Sequence, residues 1–262
     1  MSSRPIGIFD SGVGGLSVAR EIRRALPGET LLYVADTAYC PYGDRPADEV
    51  RARALAVGRY LEHAGAKLLV TACNTATGAA LERLRETVSV EVIGLEPAVK
   101  TGAARSRNRK IGVMATAGTL RSERFARLVQ SFAHGATVVA QPCPGLADII
   151  EEGHLEGEVL ERQLETFVRP LREAGVDTVV LGCTHYAFVA EPLARMLGPG
   201  VAIVDSAPAI ARRAEQILRA AALAAASGDG GLRVLTTGEP AKLAALVRRL
   251  WTEPADVQAV DI

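Results

Sequence analysis

The chain has 262 residues, 48% of them hydrophobic, with Lys+Arg and Asp+Glu both at 30, so the formal net charge is zero. That length accommodates one large domain or two modest ones with ample core, and the balanced charge excludes long-range attraction to nucleic acid or an acidic membrane surface. No apolar stretch approaches the roughly 20 residues that cross a bilayer, and residues 1–7 lack the charged head and apolar run of a signal peptide, so a soluble, cytoplasmic protein is expected, and the neutral charge does not exclude a small anionic substrate.

In chain order the pattern predicts strand Ile6–Phe9, helix Gly15–Ala25, strand Leu31–Ala35, helix Asp48–His63, strand Lys67–Thr71, helix Ala76–Arg85 and strand Val90–Gly94. It continues with strand Ile111–Ala115, helix Thr119–Phe132, strand Thr137–Gln141, helix Glu158–Ala174, strand Thr178–Gly182, helix Glu191–Leu197 and strand Val201–Asp205. Helix Ala207–Ala226, a turn at 227–231, strand Leu232–Thr236 and helix Pro240–Trp251 come last. Strand–helix alternation of this kind implies an α/β fold with mainly parallel sheets flanked by helices.

An internal echo divides the pattern. Lys67-Leu-Leu-Val-Thr-Ala-Cys73-Asn-Thr is an apolar run ending in cysteine and polar residues, and Thr178-Val-Val-Leu-Gly-Cys183-Thr-His repeats it nearly half a chain later. Ile6-Gly-Ile-Phe-Asp10-Ser is likewise echoed by Ile111-Gly-Val-Met-Ala-Thr116. Two similar lobes related by pseudo-symmetry are expected, 1–97 with 208–262 and 98–207, with the active site in the cleft between them. Open α/β sheets place ligands at the carboxyl ends of their strands, where both cysteines fall. The chain is expected to cross between lobes at 101–110 and 206–208. The basic run Arg105–Lys110 reads as a solvated helix end and turn, because it is isolated and lacks aromatics.

None of the four cysteines, Cys40, Cys73, Cys143 and Cys183, forms a C-x-x-C pair, which argues against zinc-knuckle and thioredoxin-type sites. A buried inert thiol is the default reading for each. Two of them have informative surroundings. Cys73 ends a strand and begins a helix, where backbone amides can hold a carboxylate and lower the thiol pKa, with Asn74 and Thr75 adding hydrogen bonds. Cys183 stands two residues from His185, and an extended segment would project both to one side; a thiol beside an imidazole is the arrangement that generates thiolate. Racemisation at an amino-acid α-carbon needs a base on one face and an acid on the other, so paired thiols suit it, with amides and hydroxyls stabilising the developing charge.

Other readings stay open at this level. The loop Phe9-Asp10-Ser-Gly-Val-Gly-Gly-Leu16 superficially matches a dinucleotide fingerprint, with Asp36 as ribose partner for a nicotinamide dehydrogenase. Ser17 at the third glycine position and the carboxylate of Asp10 count against it. A glycine-rich turn at a helix N-terminus suits any anion, and Asp10 is better read as an ammonium partner or a proton-handling group. A Cys–His hydrolase would leave Cys73 unexplained, and a metal site from Cys183, His185 and Asp10 lacks familiar spacing. A non-catalytic ligand-binding protein would keep the pocket without turnover. His63 and His154 read as solvent-facing helix-end residues, His134 as a loop residue, Cys40 as packing, and Cys143 as packing or a wall of the site.

Four motifs stand in order across most of the chain: Phe9-Asp-Ser-Gly-Val-Gly-Gly-Leu-Ser17, Ala35-Asp-Thr-Ala-Tyr-Cys-Pro-Tyr-Gly-Asp-Arg45, Ala72-Cys-Asn-Thr-Ala76 and Leu181-Gly-Cys-Thr-His-Tyr186. Through them the chain resembles the glutamate racemases of the cofactor-independent aspartate/glutamate racemase superfamily. The resemblance implies interconversion of L- and D-glutamate for peptidoglycan synthesis, with no cofactor and no metal; a homodimer is compatible with it. It implies that Cys73 exchanges the proton of D-glutamate with help from Asp10, and Cys183 that of L-glutamate with help from His185 and Glu151. Glu152 is the neighbouring alternative to Glu151, and a helix would point the two about 100° apart. Substrate contacts implied are Asp10, Ser11, Pro41, Tyr42, Gly43, Asn74, Thr75, Thr184 and His185, with Thr116 and Thr119 nearby. The chain departs from the pattern at Thr77, where serine is usual, and at Ala187-Phe188, which replaces a proline-plus-apolar pair. Aspartate or another amino acid of the same superfamily is the alternative substrate.

Overall fold

The computed structural model describes residues 3–133, 135–225 and 230–262. His134 and most of the expected 227–231 turn lie outside the described residues, as does the last residue of the expected helix at Ala226. The chain opens with β1 (Ile6–Asp10), α1 (Leu16–Ala25), β2 (Leu31–Ala35), α2 (Ala47–His63), β3 (Leu68–Thr71), α3 (Asn74–Thr87) and β4 (Val92–Gly94). Then come α4 (Val99–Arg105), β5 (Lys110–Ala115), α5 (Ala117–Arg121), α6 (Glu123–Phe132), β6 (Thr137–Pro142), α7 (Leu146–Glu151), α8 (Glu158–Glu173), β7 (Thr178–Gly182), α9 (Ala190–Leu197) and β8 (Ala202–Val204). The last described elements are α10 (Ala207–Ala220), β9 (Leu232–Thr236), α11 (Pro240–Leu250) and β10 (Asp256–Ala259).

These elements form two compact units, Met1–Leu95 with Ala207–Ile262, and Glu96–Ser206. The first holds a six-stranded sheet in the order β10-β9-β2-β1-β3-β4, and the second a four-stranded sheet in the order β6-β5-β7-β8. Every strand pair is parallel. Parallel sheets covered on both faces require continuous apolar strands, and all residues of β1, β2, β3 and β7 are buried. In the first unit the chain steps from β1 to β2 and then crosses back to β3; right-handed crossovers in opposite directions put helices on both faces. Accordingly α2 packs with α3, and α1 packs with α10. The α2–α3 face closes over Phe9, Val34, Val57, Leu61, Leu69, Ala76 and Leu84. In the second unit Leu160, Leu164 and Leu171 of α8 and Leu193 of α9 cover one face, and Val99, Phe125 and Leu128 of α4 and α6 contribute to the other.

The order β2-β1-β3-β4 of the first unit is matched by β6-β5-β7-β8 in the second, so the sequence echo is an echo of topology. Even the register agrees. Ile6 of the first Ile-Gly pair stands opposite Leu68, and Ile111 of the second opposite Thr178. Counted from those partners, Cys73 and Cys183 fall at the same place, just past the carboxyl end of the strand across the switch point.

Several expectations need revision. The expected helix 119–132 is two helices, because Ser122 caps α6 by accepting a hydrogen bond from the Phe125 amide at 3.1 Å. Residues 101–110, expected as a crossing, form most of α4 and the turn into β5, and the units divide earlier, at Leu95–Glu96. In that turn the amides of Arg107 and Asn108 donate to Asp177 at 2.7 and 2.8 Å. The short helices α4 and α7 and the edge strand β10 were not anticipated; β10 is mostly exposed and has no apolar run to announce it. Among the described residues no helix is long and apolar enough to cross a membrane.

Candidate active site

In the first unit, β1 and β3 are neighbours, and their carboxyl ends deliver Asp10 and Cys73 side by side: the Ala72 amide donates to the Phe9 carbonyl at 2.9 Å. Asp10 is fully buried, and its Oδ1 accepts from the Ser11 hydroxyl and the Gly12 amide, each at 3.2 Å. The glycine-rich turn then enters α1, whose N-cap is Gly15. A Cβ at Gly15 would lie 2.8 Å from the Asp10 Cβ and 2.9 Å from the Tyr33 ring, so only glycine allows helix, carboxylate and ring to meet. The Tyr33 hydroxyl donates to the Gly12 carbonyl at 2.5 Å and holds the turn down.

Cys73 is the N-cap of α3, and its Sγ accepts a hydrogen bond from the Ala76 amide at 3.4 Å. An anion at a helix N-terminus is stabilised by the free amides and the helix dipole, which favours thiolate there. The thiol keeps 7% exposure, and Asn74 and Thr75 beside it are also nearly buried. Neither atom of the Asn74 amide has a hydrogen-bond partner among the described residues. Buried side-chain amides are normally satisfied, so this group fits a ligand contact. Thr77 is buried under α3 with its hydroxyl donating to the Thr71 carbonyl at 3.4 Å, a structural role that a serine would also fill.

In the second unit, β7 ends at Gly182 and Cys183 follows at 8% exposure. Residues 184–189 form a 3₁₀ turn, not the extended segment expected, because the chain must fold back into α9. The turn still brings His185 to the thiol, with Cys183 Sγ and His185 Nδ1 3.6 Å apart. His185 Nε2 lies 2.6 Å from Oε1 of Glu151 at the end of α7. A carboxylate on Nε2 selects the tautomer protonated there and frees Nδ1 to accept the thiol proton. Among the described residues Glu152, one residue on, reaches only the exposed His154, at 3.9 Å. Geometry thus gives Glu151, and not Glu152, to the thiol–imidazole pair.

The remaining expected residues fall as follows. Thr116 caps α5, and its Oγ1 accepts from the Thr119 amide at 3.2 Å and donates to the Thr119 hydroxyl at 3.1 Å, at the carboxyl end of β5. Thr184 is buried at the start of the 3₁₀ turn. Tyr42 is buried with its hydroxyl donating to Asp36 at 2.5 Å, so residues 41–43 can meet a ligand only through backbone and ring edges. Burial, reinforced by the Asp36 carboxylate, pushes the phenol well above its ordinary value, so it stays a donor. Cys40 is half-buried beside Ser11, with Sγ and Oγ 3.9 Å apart. Cys143 is buried with its thiol donating to the Gln141 carbonyl at 3.4 Å, and burial first, then Cys183, pushes it up, so it is an inert packing thiol. His63 is an exposed helix-end residue, with Nδ1 2.8 Å from the Arg59 carbonyl, as expected. Ala187 and Phe188 pack against the core of the second unit.

The nicotinamide reading is overturned by Asp36. That carboxylate is fully buried, and its four acceptor positions are taken by Tyr42 at 2.5 Å, by Arg53 Nε and Nη2 at 3.0 and 2.8 Å, and by the Thr237 hydroxyl at 2.8 Å. None remains for a ribose hydroxyl. Sequence reasoning missed Arg53 and Thr237, which come from α2 and from the turn after β9 and carry no local signal.

Comparisons with known proteins show the family and the fold. Residues 6–214 match the family model described as Asp/Glu/Hydantoin racemase. A glutamate racemase of Pseudomonas paraeruginosa is 46% identical over 261 residues, covering 99% of this chain and 98% of that protein. The crystal structure of glutamate racemase isoform RacE1 from Bacillus anthracis superposes with a TM-score of 0.92 at 33% identity, covering 100% and 99% of the two chains. The Escherichia coli glutamate racemase, crystallised with L-glutamate and the activator UDP-MurNAc-Ala, gives 0.87 at 30% identity over 98% of each chain. With these matches spanning the two sheets and both thiol-bearing strand ends, the chain belongs to the Asp/Glu/hydantoin racemase family of isomerases.

Proposed function

We propose that this chain is a glutamate racemase that interconverts L- and D-glutamate by 1,1-proton transfer between two thiols. The observation that carries this reading is the matched placement of Cys73 and Cys183 past corresponding strand ends in two units of like topology. Glutamate as substrate is supported by full-length relatives of that name and by the L-glutamate held by the Escherichia coli protein.

In the L-to-D direction the Cys183 thiolate removes the α-proton, and the Cys73 thiol delivers its own proton to the opposite face. In the reverse direction the roles exchange. His185 takes the Cys183 proton through Nδ1 when that thiol must act as base, and Glu151 stabilises the resulting imidazolium. Asp10 assists Cys73, whose thiolate the α3 N-terminus also favours. Asn74, Thr75 and Thr184, with residues 10–11 and 41–43, bind the substrate, and Thr116 and Thr119 stand nearby. The α-proton of an amino acid is weakly acidic, so hydrogen bonds to its carboxylate must stabilise the developing carbanion. The proton chemistry of this reading needs no cofactor, and the D-glutamate formed would serve peptidoglycan synthesis in the cytoplasm.

The test is deuterium incorporation at the α-carbon of each enantiomer in D2O, with glutamate and aspartate assayed in parallel. Glutamate should racemise with α-deuterium incorporation, and Cys73→Ala and Cys183→Ala should each abolish racemisation. Full activity in either variant would overturn the two-thiol mechanism, and faster turnover of aspartate would overturn the substrate.

A further inference from the structure

The first unit contains a buried ionic assembly that the proton transfer does not use. Asp36, just past the carboxyl end of β2, is fully buried, and Arg53 of α2 grips it with two parallel hydrogen bonds. The same guanidinium donates to the Ile262 carbonyl at 2.6 Å through Nη1 and lies over the Tyr39 ring, 4.0 Å from its centre. Asp36 in turn receives the Tyr42 and Thr237 hydroxyls. Tyr42 belongs to residues 42–44, a 3₁₀ turn packed against α3, and it shares a core cluster with Cys73, the N-cap of that helix.

A planar guanidinium bonded to both oxygens of a carboxylate fixes that carboxylate in rotation as well as in position. The fixed carboxylate then dictates where the Tyr42 hydroxyl, and with it the backbone of residues 41–43, can lie. Residues 37–45 contain only two short 3₁₀ turns, 37–39 and 42–44, with no longer helix or strand to hold them. The arginine also clasps the loop at a second point, through the Tyr39 ring, while Arg45 donates to the Tyr39 carbonyl.

We propose that Asp36 and Arg53 are positioning residues that act through Tyr42 to hold residues 41–43 in substrate-binding geometry beside Cys73. The inference rests on the racemase reading. It concerns ground-state binding of the substrate, and leaves the thiols and their partners untouched. Loss of the clamp should therefore raise KM for both enantiomers with little change in kcat, the signature of lost uniform binding. Because the two enantiomers are equal in energy, kcat/KM must fall by the same factor in both directions.

Steady-state racemisation in both directions by Tyr42→Phe, Arg53→Gln and Arg53→Lys, each with its thermal midpoint, tests this. Tyr42→Phe deletes one bond and keeps the ring, so it addresses the proposal even if Arg53→Gln fails to fold. KM should rise about tenfold in Tyr42→Phe, the equivalent of one hydrogen bond to a charged group. It should rise further in Arg53→Gln and fall between wild type and Arg53→Gln in Arg53→Lys, which keeps the charge but loses the fork. Glu62→Ala, at the far end of α2, breaks the hydrogen bonds Glu62 accepts from Ser89 and should lower the midpoint while leaving KM alone. A racemising wild type with unchanged KM in Tyr42→Phe would overturn the inference and spare the functional reading. So would a KM rise in Glu62→Ala matching its loss of midpoint. A wild type that exchanges no α-proton would remove both.

Discussion

At the scale of single residues, the two thiols sit in chemically unequal surroundings. Cys73 accepts an amide hydrogen bond at a helix N-terminus, whereas Cys183 faces an imidazole that is itself held by a carboxylate. In the proposed mechanism the first environment stabilises thiolate directly, and the second supplies a base to take the proton. His185→Asn should therefore lower kcat/KM on the order of 100-fold, the low end of what a positioned general base contributes. The fall should be equal for both enantiomers, as their equilibrium constant of one requires. Glu152→Gln should leave activity unchanged, since among the described residues that side chain reaches only the exposed His154. Initial rates from each enantiomer decide both points, and a large loss in Glu152→Gln would contradict the assignment of Glu151.

At the scale of elements, function depends on how strands hand over to helices. The β1–α1 turn is closed by Gly15 against Asp10 and Tyr33, with no room for a methyl group. Gly15→Ala should push Asp10 or α1 out of place and cost about 1–3 kcal/mol in urea unfolding, as overpacking of tight sites does. Racemisation should fall with it, because Asp10 stands beside Cys73. Wild-type stability in that variant would show that the contact relaxes freely. The split of the expected helix 119–132 was legible in principle: Ser122 followed by Glu123 is an N-cap signal inside an amphipathic run. Periodicity alone hid it, because α5 and α6 continue one apolar pattern. The turn 184–189 was less legible, since the Cys-x-His spacing is compatible with either geometry.

At the scale of the molecule, the first unit is assembled from two stretches distant in the chain, 1–95 and 207–262. Pairing of β2 with β9 joins them, and buried polar groups reinforce the seam. Lys67 and Glu29, both almost inaccessible, pair at 2.6 Å, and they bind the Leu223 carbonyl and the Ala225 amide respectively. Asp36 reaches Thr237, and Arg53 reaches Ile262. Buried protonated groups also make stability depend on alkaline pH. Burial raises Tyr42 in the first unit and Cys143 in the second above their ordinary values of 10.0 and 9.0. At these two groups the folded chain then binds more protons than the unfolded chain once pH exceeds those values, so their contribution to stability is full below about pH 9 and declines above it. Thermal midpoints measured from pH 7 to 11 should show that decline, less steeply in Tyr42→Phe; a flat profile would mean that neither group stays protonated in the fold.

The sequence by itself determined the α/β alternation, the parallel sheets and both cysteine-bearing strand ends, because strand runs, helix periods and glycine turns are local patterns. The motifs around Asp10, Cys73 and Cys183 carried the family for the same reason. Only the tertiary structure brought Glu151, and not Glu152, to His185, converted Asp36 from a ribose partner into the centre of a buried clamp, and recruited Arg53 and Thr237 to it. Those outcomes depend on which side chains meet after residues far apart in the chain have packed, and no local pattern encodes that meeting.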